Sequence, residues 1–135
     1  MTDRTINIYL LSDWSISHNF VFMNIDEIIS YVRNLPNFNM WECDGCTQIL
    51  DYLLTEHGIE HTIYGGNAFV SGGYSIPHFW IVIDREILDL KAKMWFGETA
   101  KEGLFYENET IVNYSTYGRP LEMKTGKFMF DILNM

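Results

Sequence analysis

Three residues of this chain carry side chains that can act together as a nucleophile, a base and an orienting acid. Cys43 lies in WECDGC, His78 begins the apolar run HFWIVI, and Asp89 follows the apolar residues of EIL. A thiolate attacks a carbonyl carbon, an imidazole takes and returns the proton, and a neighbouring carboxylate holds the imidazole tautomer. Together these residues predict acyl transfer through a thioester on Cys43.

A helix start and two neighbouring strands have to bring these residues together. Helical spacing predicts a helix over 43–57, ended by Gly58. Cys43 then lies in the first turn, where unpaired N–H groups and the positive end of the helix dipole favour a thiolate. If a hairpin turns at 84–86, residues near 80 and 89 oppose each other, and His78 comes within diagonal reach of Asp89.

The rest of the pattern predicts one further helix and several strands. Asn24 and Glu27 form a capping box for a helix over 24–34. Apolar runs with strand character lie at 5–11, 60–64, 77–83, 86–90, 110–114 and 127–133. A glycine-rich loop is expected before His78. The pattern predicts an α+β fold with N-terminal helices packed on an antiparallel sheet.

Composition limits the class of protein. With 135 residues, 47% of them hydrophobic, the chain is expected to form a single domain over 1–135 with a real core. A net charge of −9 argues against nucleic-acid binding, which needs Lys and Arg against phosphates. The sequence shows neither a signal peptide nor an apolar run that could span a bilayer. We therefore expect a cytoplasmic protein without a membrane partner, and reduced cysteines.

Over about residues 41–97, the spacing resembles the papain-like superfamily of cysteine hydrolases, in its compact transglutaminase-like and NlpC-type forms. Those families place a cysteine at a helix start, a His-x-Trp strand after the helix, and an aspartate on the next strand. Here Cys43, His78-Phe79-Trp80 and Asp89 match these elements, and Gly58-Ile59 matches the turn that ends the helix. The resemblance implies a papain-like core and a Cys43–His78–Asp89 triad. Such an enzyme hydrolyses amide, isopeptide or related acyl bonds in a peptide or protein, with no metal or organic cofactor.

Each of the two tryptophans near the triad has two interpretations. Trp41, just before the nucleophile, is predicted to line a substrate groove, although an apolar lead-in to the helix fits equally well. Trp80 is assigned to the substrate site or to the core beneath it. Cys46 shares the apolar stripe of the helix with Ile49 and Leu50, which predicts a core position.

A zinc site is one alternative for the same segment. Cys43-x2-Cys46 followed by His57-x3-His61 is similar to a C2H2 pattern. A continuous helix from Cys46 to His57 would be about 16 Å long at 1.5 Å per residue. Ligands at its two ends cannot share an ion at bond lengths of about 2 Å. The pattern therefore favours catalysis over structural zinc.

A second alternative is non-enzymatic. A catalytically idle papain-like fold can serve as a protein-binding or inhibitory module, of the kind that phages and mobile elements encode. An acidic surface and exposed aromatic residues would suit that role, and Tyr106, Tyr114 and Tyr117 are the candidates.

Overall fold

Two helices precede an antiparallel sheet in the structure, a computed structural model that describes residues 22–114 and 119–121. The helices are α1 (Ile25–Arg33), α2 (Cys43–Glu56) and the short α3 (Ala92–Phe96). The strands are β1 (Thr62–Val70), β2 (Ile76–Ile83), β3 (Glu86–Asp89), β4 (Gly103–Phe105), β5 (Val112–Asn113) and β6 (Arg119–Leu121). Single 3₁₀ turns lie at Phe38–Met40 and Glu107–Glu109. No helix within the described ranges has the length and apolar character needed to cross a membrane.

The sheet has the strand order β4-β3-β2-β1-β5, and each pairing is antiparallel. The strand β6 also pairs with β1, opposite residues 63–65, while β5 pairs with residues 69–70. Because β2 pairs with 62–68, β6 lies along the other edge of β1. The predicted α+β class is confirmed.

The capping box predicted for the first helix is present. The Glu27 N–H donates to Asn24 Oδ1 at 2.8 Å, and the Asn24 N–H donates to Glu27 Oε1 at 2.9 Å. These bonds satisfy two N–H groups that have no acceptor within a helix. Helix α1 therefore begins where the sequence predicts, and it buries Ile28, Ile29 and Val32.

The sheet separates two apolar clusters. One contains the buried residues of α1 and α2 together with Ile81 and Ile83 of β2. The other contains Trp80 of β2 and Ile87 of β3. Side chains alternate between the faces of a strand, so His78 lies on the Trp80 face and Asp89 on the Ile87 face. The two polar side chains therefore share the face of the hairpin that carries Trp80 and Ile87.

A two-residue turn at Asp84-Arg85 joins β2 and β3. Asp84 takes a positive φ of 57°, as the two-residue turns that match the twist of a hairpin require. Ile83 pairs with Glu86, and Ile81 pairs with Leu88. Continuing this register places residue 80 opposite residue 89, as the sequence predicts.

The glycine-rich segment before His78 differs from the prediction. Gly65 and Gly66 lie inside β1, which runs to Val70, so the connection is confined to residues 71–75. Glycine weakens the strand pattern in a sequence, but pairing with β2 carries β1 through both residues. Gly66 pairs with His78 and places no side chain beside the imidazole.

Other boundaries differ less. The strand predicted at 110–114 is only the two-residue β5, and the sequence did not indicate α3, β4 or β6. Helix α2 ends at Glu56, with His57 as its C-cap, and β3 ends at Asp89 instead of Leu90. The strands predicted at 5–11 and 127–133 lie outside the described residues.

Candidate active site

Cys43 is the first residue of α2, as predicted. Glu42 is the extended N-cap, and its carbonyl accepts the first helical hydrogen bond from the Cys46 N–H at 3.0 Å. The Gly45 N–H donates to Asp44 Oδ1 at 2.7 Å, so an acidic side chain lies at the positive end of the helix. Cys43 is 9% exposed, so the residue lies at the edge of the interior.

His78 and Asp89 form a buried pair across the β2–β3 hairpin. The distance from His78 Nε2 to Asp89 Oδ2 is 2.7 Å, and the two residues are 1% and 4% exposed. This is the diagonal contact that the hairpin register predicts. A carboxylate at this distance fixes which nitrogen of the ring carries a proton.

The other nitrogen of the ring is left for Cys43. Nδ1 of His78 is buried, and it has no partner that meets strict hydrogen-bond geometry. Burial alone lowers the pKa of His78, but hydrogen bonding and charge from Asp89 and Cys43 outweigh it and raise this pKa to about 9. At neutral pH the ring is therefore an imidazolium, the form that stabilises a thiolate.

Protonation of His78 should make the stability of the fold depend on pH. The pKa of His78 is 6.5 without the fold and about 9 within it. Its contribution to stability is then fully present below pH 6.5 and lost as pH rises through 9. We expect the free energy of unfolding, measured with urea, to fall over this window and to fall less in His78→Gln. The contribution of His61, which is bonded to Asp51, is common to both proteins. Equal pH slopes in the two proteins would contradict the assignment.

Three donors hold the carboxylate of Asp89. Besides His78, the hydroxyl of Tyr114 donates to Oδ2 at 2.6 Å, and the Lys91 N–H donates to Oδ1 at 2.9 Å. Tyr114 is 1% exposed, so its predicted place among exposed aromatic residues is wrong. Burial, followed by the charge of Asp89, raises the pKa of Tyr114, and its hydroxyl therefore remains a donor.

Lys91 ties the segment before the nucleophile to the strand that carries Asp89. Its Nζ donates to the Phe38 carbonyl at 2.6 Å and lies 3.8 Å from the centre of the Phe38 ring. The residue is 6% exposed, and burial lowers the pKa of its ammonium. Lys91 thus orients Asp89 through its backbone N–H, and its side chain anchors the segment that precedes Cys43.

Aromatic rings enclose the imidazole. Phe96 of α3 meets His78 edge-on at 5.4 Å, and Trp80 stacks on it at 6.3 Å between ring centres. A cleft of about 250 Å³ is bounded by Trp80, Tyr114, Arg85 and neighbouring residues. The rings around His78 leave it 1% exposed, and low exposure to water strengthens the charge interactions of the imidazole.

The two tryptophans assigned to substrate binding are both buried. Trp41 is 4% exposed, meets Phe38 edge-on and belongs to the helical core. Trp80 is 3% exposed and borders the cleft. The position of Trp41 fits its alternative assignment as an apolar lead-in to α2. A role in substrate binding stays a prediction for both residues.

Cys46 lies in the core, as predicted. It is 2% exposed within the cluster formed by the helices, and burial raises the pKa of its thiol to about 12. A neutral thiol is a poor nucleophile, and burial keeps the Cys46 thiol neutral. Cys43 is three residues away but interacts with His78, so the two cysteines differ in environment.

The two histidines of the zinc pattern have other partners. The Met23 N–H donates to His57 Nδ1 at 2.9 Å, and His61 contacts Asp51 at 2.7 Å through Nε2. The helix between Cys46 and His57 is continuous. Within residues 22–114 and 119–121, no three His, Cys, Asp or Glu residues are grouped so that they could hold a metal ion.

Comparison with known proteins leaves the function to be argued from this geometry. No known family matches the chain, and no curated protein or solved structure is significantly similar to it.

Sequence reasoning missed two residues that hold the site. Tyr114 and Lys91 contact Asp89 and Phe38 across 25 and 53 positions of the chain. Their burial gives no periodic signal, since Lys91 lies just outside β3 and Tyr114 follows the two-residue β5.

Proposed function

We propose that this protein is a cysteine-dependent acyl-transfer enzyme with a compact papain-like core. Cys43 is the nucleophile, His78 the base and acid, and Asp89 the orienting carboxylate. The observation that carries the proposal is the buried imidazole. One of its nitrogens is bonded to Asp89 at 2.7 Å, and the ring interacts with Cys43 at a helix start. Each part suits the thiolate–imidazolium chemistry of cysteine hydrolases.

The reaction forms and then breaks a thioester. The Cys43 thiolate attacks the carbonyl carbon, and a tetrahedral intermediate forms. The bond to the leaving amine breaks as the His78 imidazolium gives that amine its proton. Neutral His78 then takes a proton from water, whose oxygen attacks the thioester. Cys43 leaves as a thiolate, the acid product departs, and His78 again holds a proton.

The start of α2 also suits the negative oxygen of the tetrahedral intermediate. The first N–H groups of an α-helix have no acceptor within the helix, and they lie at its positive end. Cys43 occupies the first helical position. Its own N–H is thus a donor for the intermediate that its sulfur creates, as in other acyl-transfer sites.

The substrate proposed is an amide, isopeptide or related acyl bond in a peptide or protein of the cytoplasm. The chemistry uses only the three side chains and the backbone, so no metal or organic cofactor takes part. The net charge of −9 makes polyanions such as nucleic acids unfavourable substrates.

One observation favours a second candidate, an idle papain-like fold that binds or inhibits another protein. Cys43 and His78 are 9% and 1% exposed, which restricts the approach of a carbonyl to the sulfur. An idle fold keeps the buried pair for stability and has no need of an accessible thiol. The reactivity of Cys43 separates the two candidates.

Iodoacetamide is expected to label Cys43 much faster than Cys46 near neutral pH. Only Cys43 lies beside the imidazolium, while Cys46 has a thiol pKa of about 12. Brief labelling followed by peptide mass spectrometry measures both rates in one sample. The variant Cys46→Ala should leave the rate at Cys43 unchanged. Preferential labelling of Cys46, or protection of both thiols until the protein unfolds, would refute the proposal and favour the idle fold.

A further inference from the structure

Tyr114 and His78 contact the same carboxylate oxygen of Asp89. Its hydroxyl donates to Oδ2 at 2.6 Å, and His78 Nε2 lies 2.7 Å from the same oxygen. Tyr114 is 1% exposed, and its ring centre lies 6.1 Å from that of His78 and 5.2 Å from that of Trp80. The triad chemistry proposed above needs none of these contacts. A phenol buried against a carboxylate is nevertheless a specific arrangement.

We propose that Tyr114 is a fourth, positioning member of the site, which shares Asp89 Oδ2 with His78 and so limits how tightly the imidazole holds its proton. This inference rests on the acyl-transfer function proposed above. The Lys91 N–H already orients Asp89 by donating to its other carboxylate oxygen at 2.9 Å. Tyr114 is therefore not needed for orientation alone, and its hydrogen bond has a separate role.

The physical effect follows from competition for one oxygen. A hydrogen bond donated to a carboxylate spreads its negative charge and lowers its attraction for a neighbouring cation. With two donors on Oδ2, the carboxylate stabilises the imidazolium less than it would with His78 alone. An acid–base catalyst works best when its pKa lies near the working pH, and a more basic His78 would release its proton to the leaving group too slowly.

Tyr114 is the side chain that tunes the pair, because the other donor to Asp89 besides His78 is the backbone N–H of Lys91. His78 faces Cys43 from α2 and Asp89 from β3, and Gly66 of β1 opposes it without a side chain. Tyr114 itself is surrounded by negative groups. Burial, then the charges of Asp89, Glu102 and Glu107, raises the pKa of its hydroxyl. Its O–H therefore stays a donor while His78 titrates.

The test is to titrate His78 in the Tyr114→Phe variant of the full chain and to monitor the titration by NMR of isotope-labelled histidine. We expect the pKa of His78 to rise by about 1, because one charged hydrogen bond to the carboxylate is lost. The alkaline end of the pH profile for Cys43 alkylation should move in parallel. The matched control is Tyr64→Phe, which removes a hydroxyl from the same cleft, where Tyr64 stacks on Trp80 at 6.2 Å. That variant should leave the pKa of His78 unchanged.

A second measurement keeps the inference testable if Tyr114→Phe does not fold. Incorporation of 3-fluorotyrosine makes the hydroxyl a stronger donor without removing it, and the pKa of His78 should then fall. A lower melting temperature with no movement of the His78 titration in either protein would show a merely structural role and overturn the inference. The titration needs no substrate. An unreactive Cys43 would contradict the acyl-transfer proposal, and this result is independent of the His78 titration that tests the role of Tyr114.

Discussion

Cys43→Ala is expected to abolish the release of nitrophenol from p-nitrophenyl acetate, an activated ester that serves as a general acyl donor. The thiolate forms the only covalent bond between the protein and the substrate in the proposed reaction, so no other side chain can replace it. Loss of the nucleophile in a triad enzyme costs about 10⁶-fold in turnover. The burst of nitrophenol, followed by absorbance, measures the effect within one turnover.

The matched control is Cys46→Ala, which removes the other thiol on the same helix. Cys46 is 2% exposed in the core, so this variant is expected to lose some stability and keep the burst. Cys43 is at the edge of the interior, and its replacement by alanine should leave the protein folded. An undiminished burst in folded Cys43→Ala would contradict the assignment of the nucleophile.

Asp89→Asn is expected to reduce turnover of the same ester by up to about 10⁴-fold, the loss seen when the acid of a triad is neutralised. An amide cannot stabilise the imidazolium, and its NH₂ group favours the wrong tautomer of His78. The pKa of His78, about 9 in the wild type, should fall at the same time, because the carboxylate that raises it is gone. Histidine NMR and the burst rate together measure both effects.

The chain supplies a matched control in a second His–Asp pair. Asp51 contacts His61 at 2.7 Å, the same separation as Asp89 and His78. Asp51 lies in the second half of α2 and His61 follows that helix, whereas Cys43 is its first residue. Asp51→Asn should lower stability slightly and leave turnover unchanged. If Asp89→Asn and Asp51→Asn retained equal activity, Asp89 would have no part in the reaction.

The parts of the site that lie on regular elements could be predicted because their signals are local. Helical spacing indicates α2 and hence the position of Cys43 at its start. The polar turn at Asp84-Arg85 sets the hairpin register, and the register alone brings His78 and Asp89 within diagonal reach. The capping box of α1 is equally local. Periodicity, caps and turns describe neighbours in sequence, so they are sufficient for these elements.

The residues whose positions were predicted wrongly, or not at all, depend on contacts between distant parts of the chain. Gly65 and Gly66 belong to β1 because β2 pairs with them, although glycine is unfavourable in strands. Tyr114 was expected at the surface, yet it is buried by rings and by a carboxylate 25 residues earlier. Lys91 is buried because its ammonium reaches a carbonyl 53 residues earlier. A pattern of residue types carries no information about such partners.

The most direct test of the account is to trap the acyl-enzyme. Protein mixed with p-nitrophenyl acetate is quenched with acid during the burst, digested, and sequenced by tandem mass spectrometry, which separates Cys43 from Cys46 in one peptide. We expect an acetyl thioester on Cys43, absent from Cys43→Ala and greatly reduced in Asp89→Asn. Acetyl groups found only on lysines or Cys46, or at equal levels on Cys43 in wild type and Asp89→Asn, would contradict it.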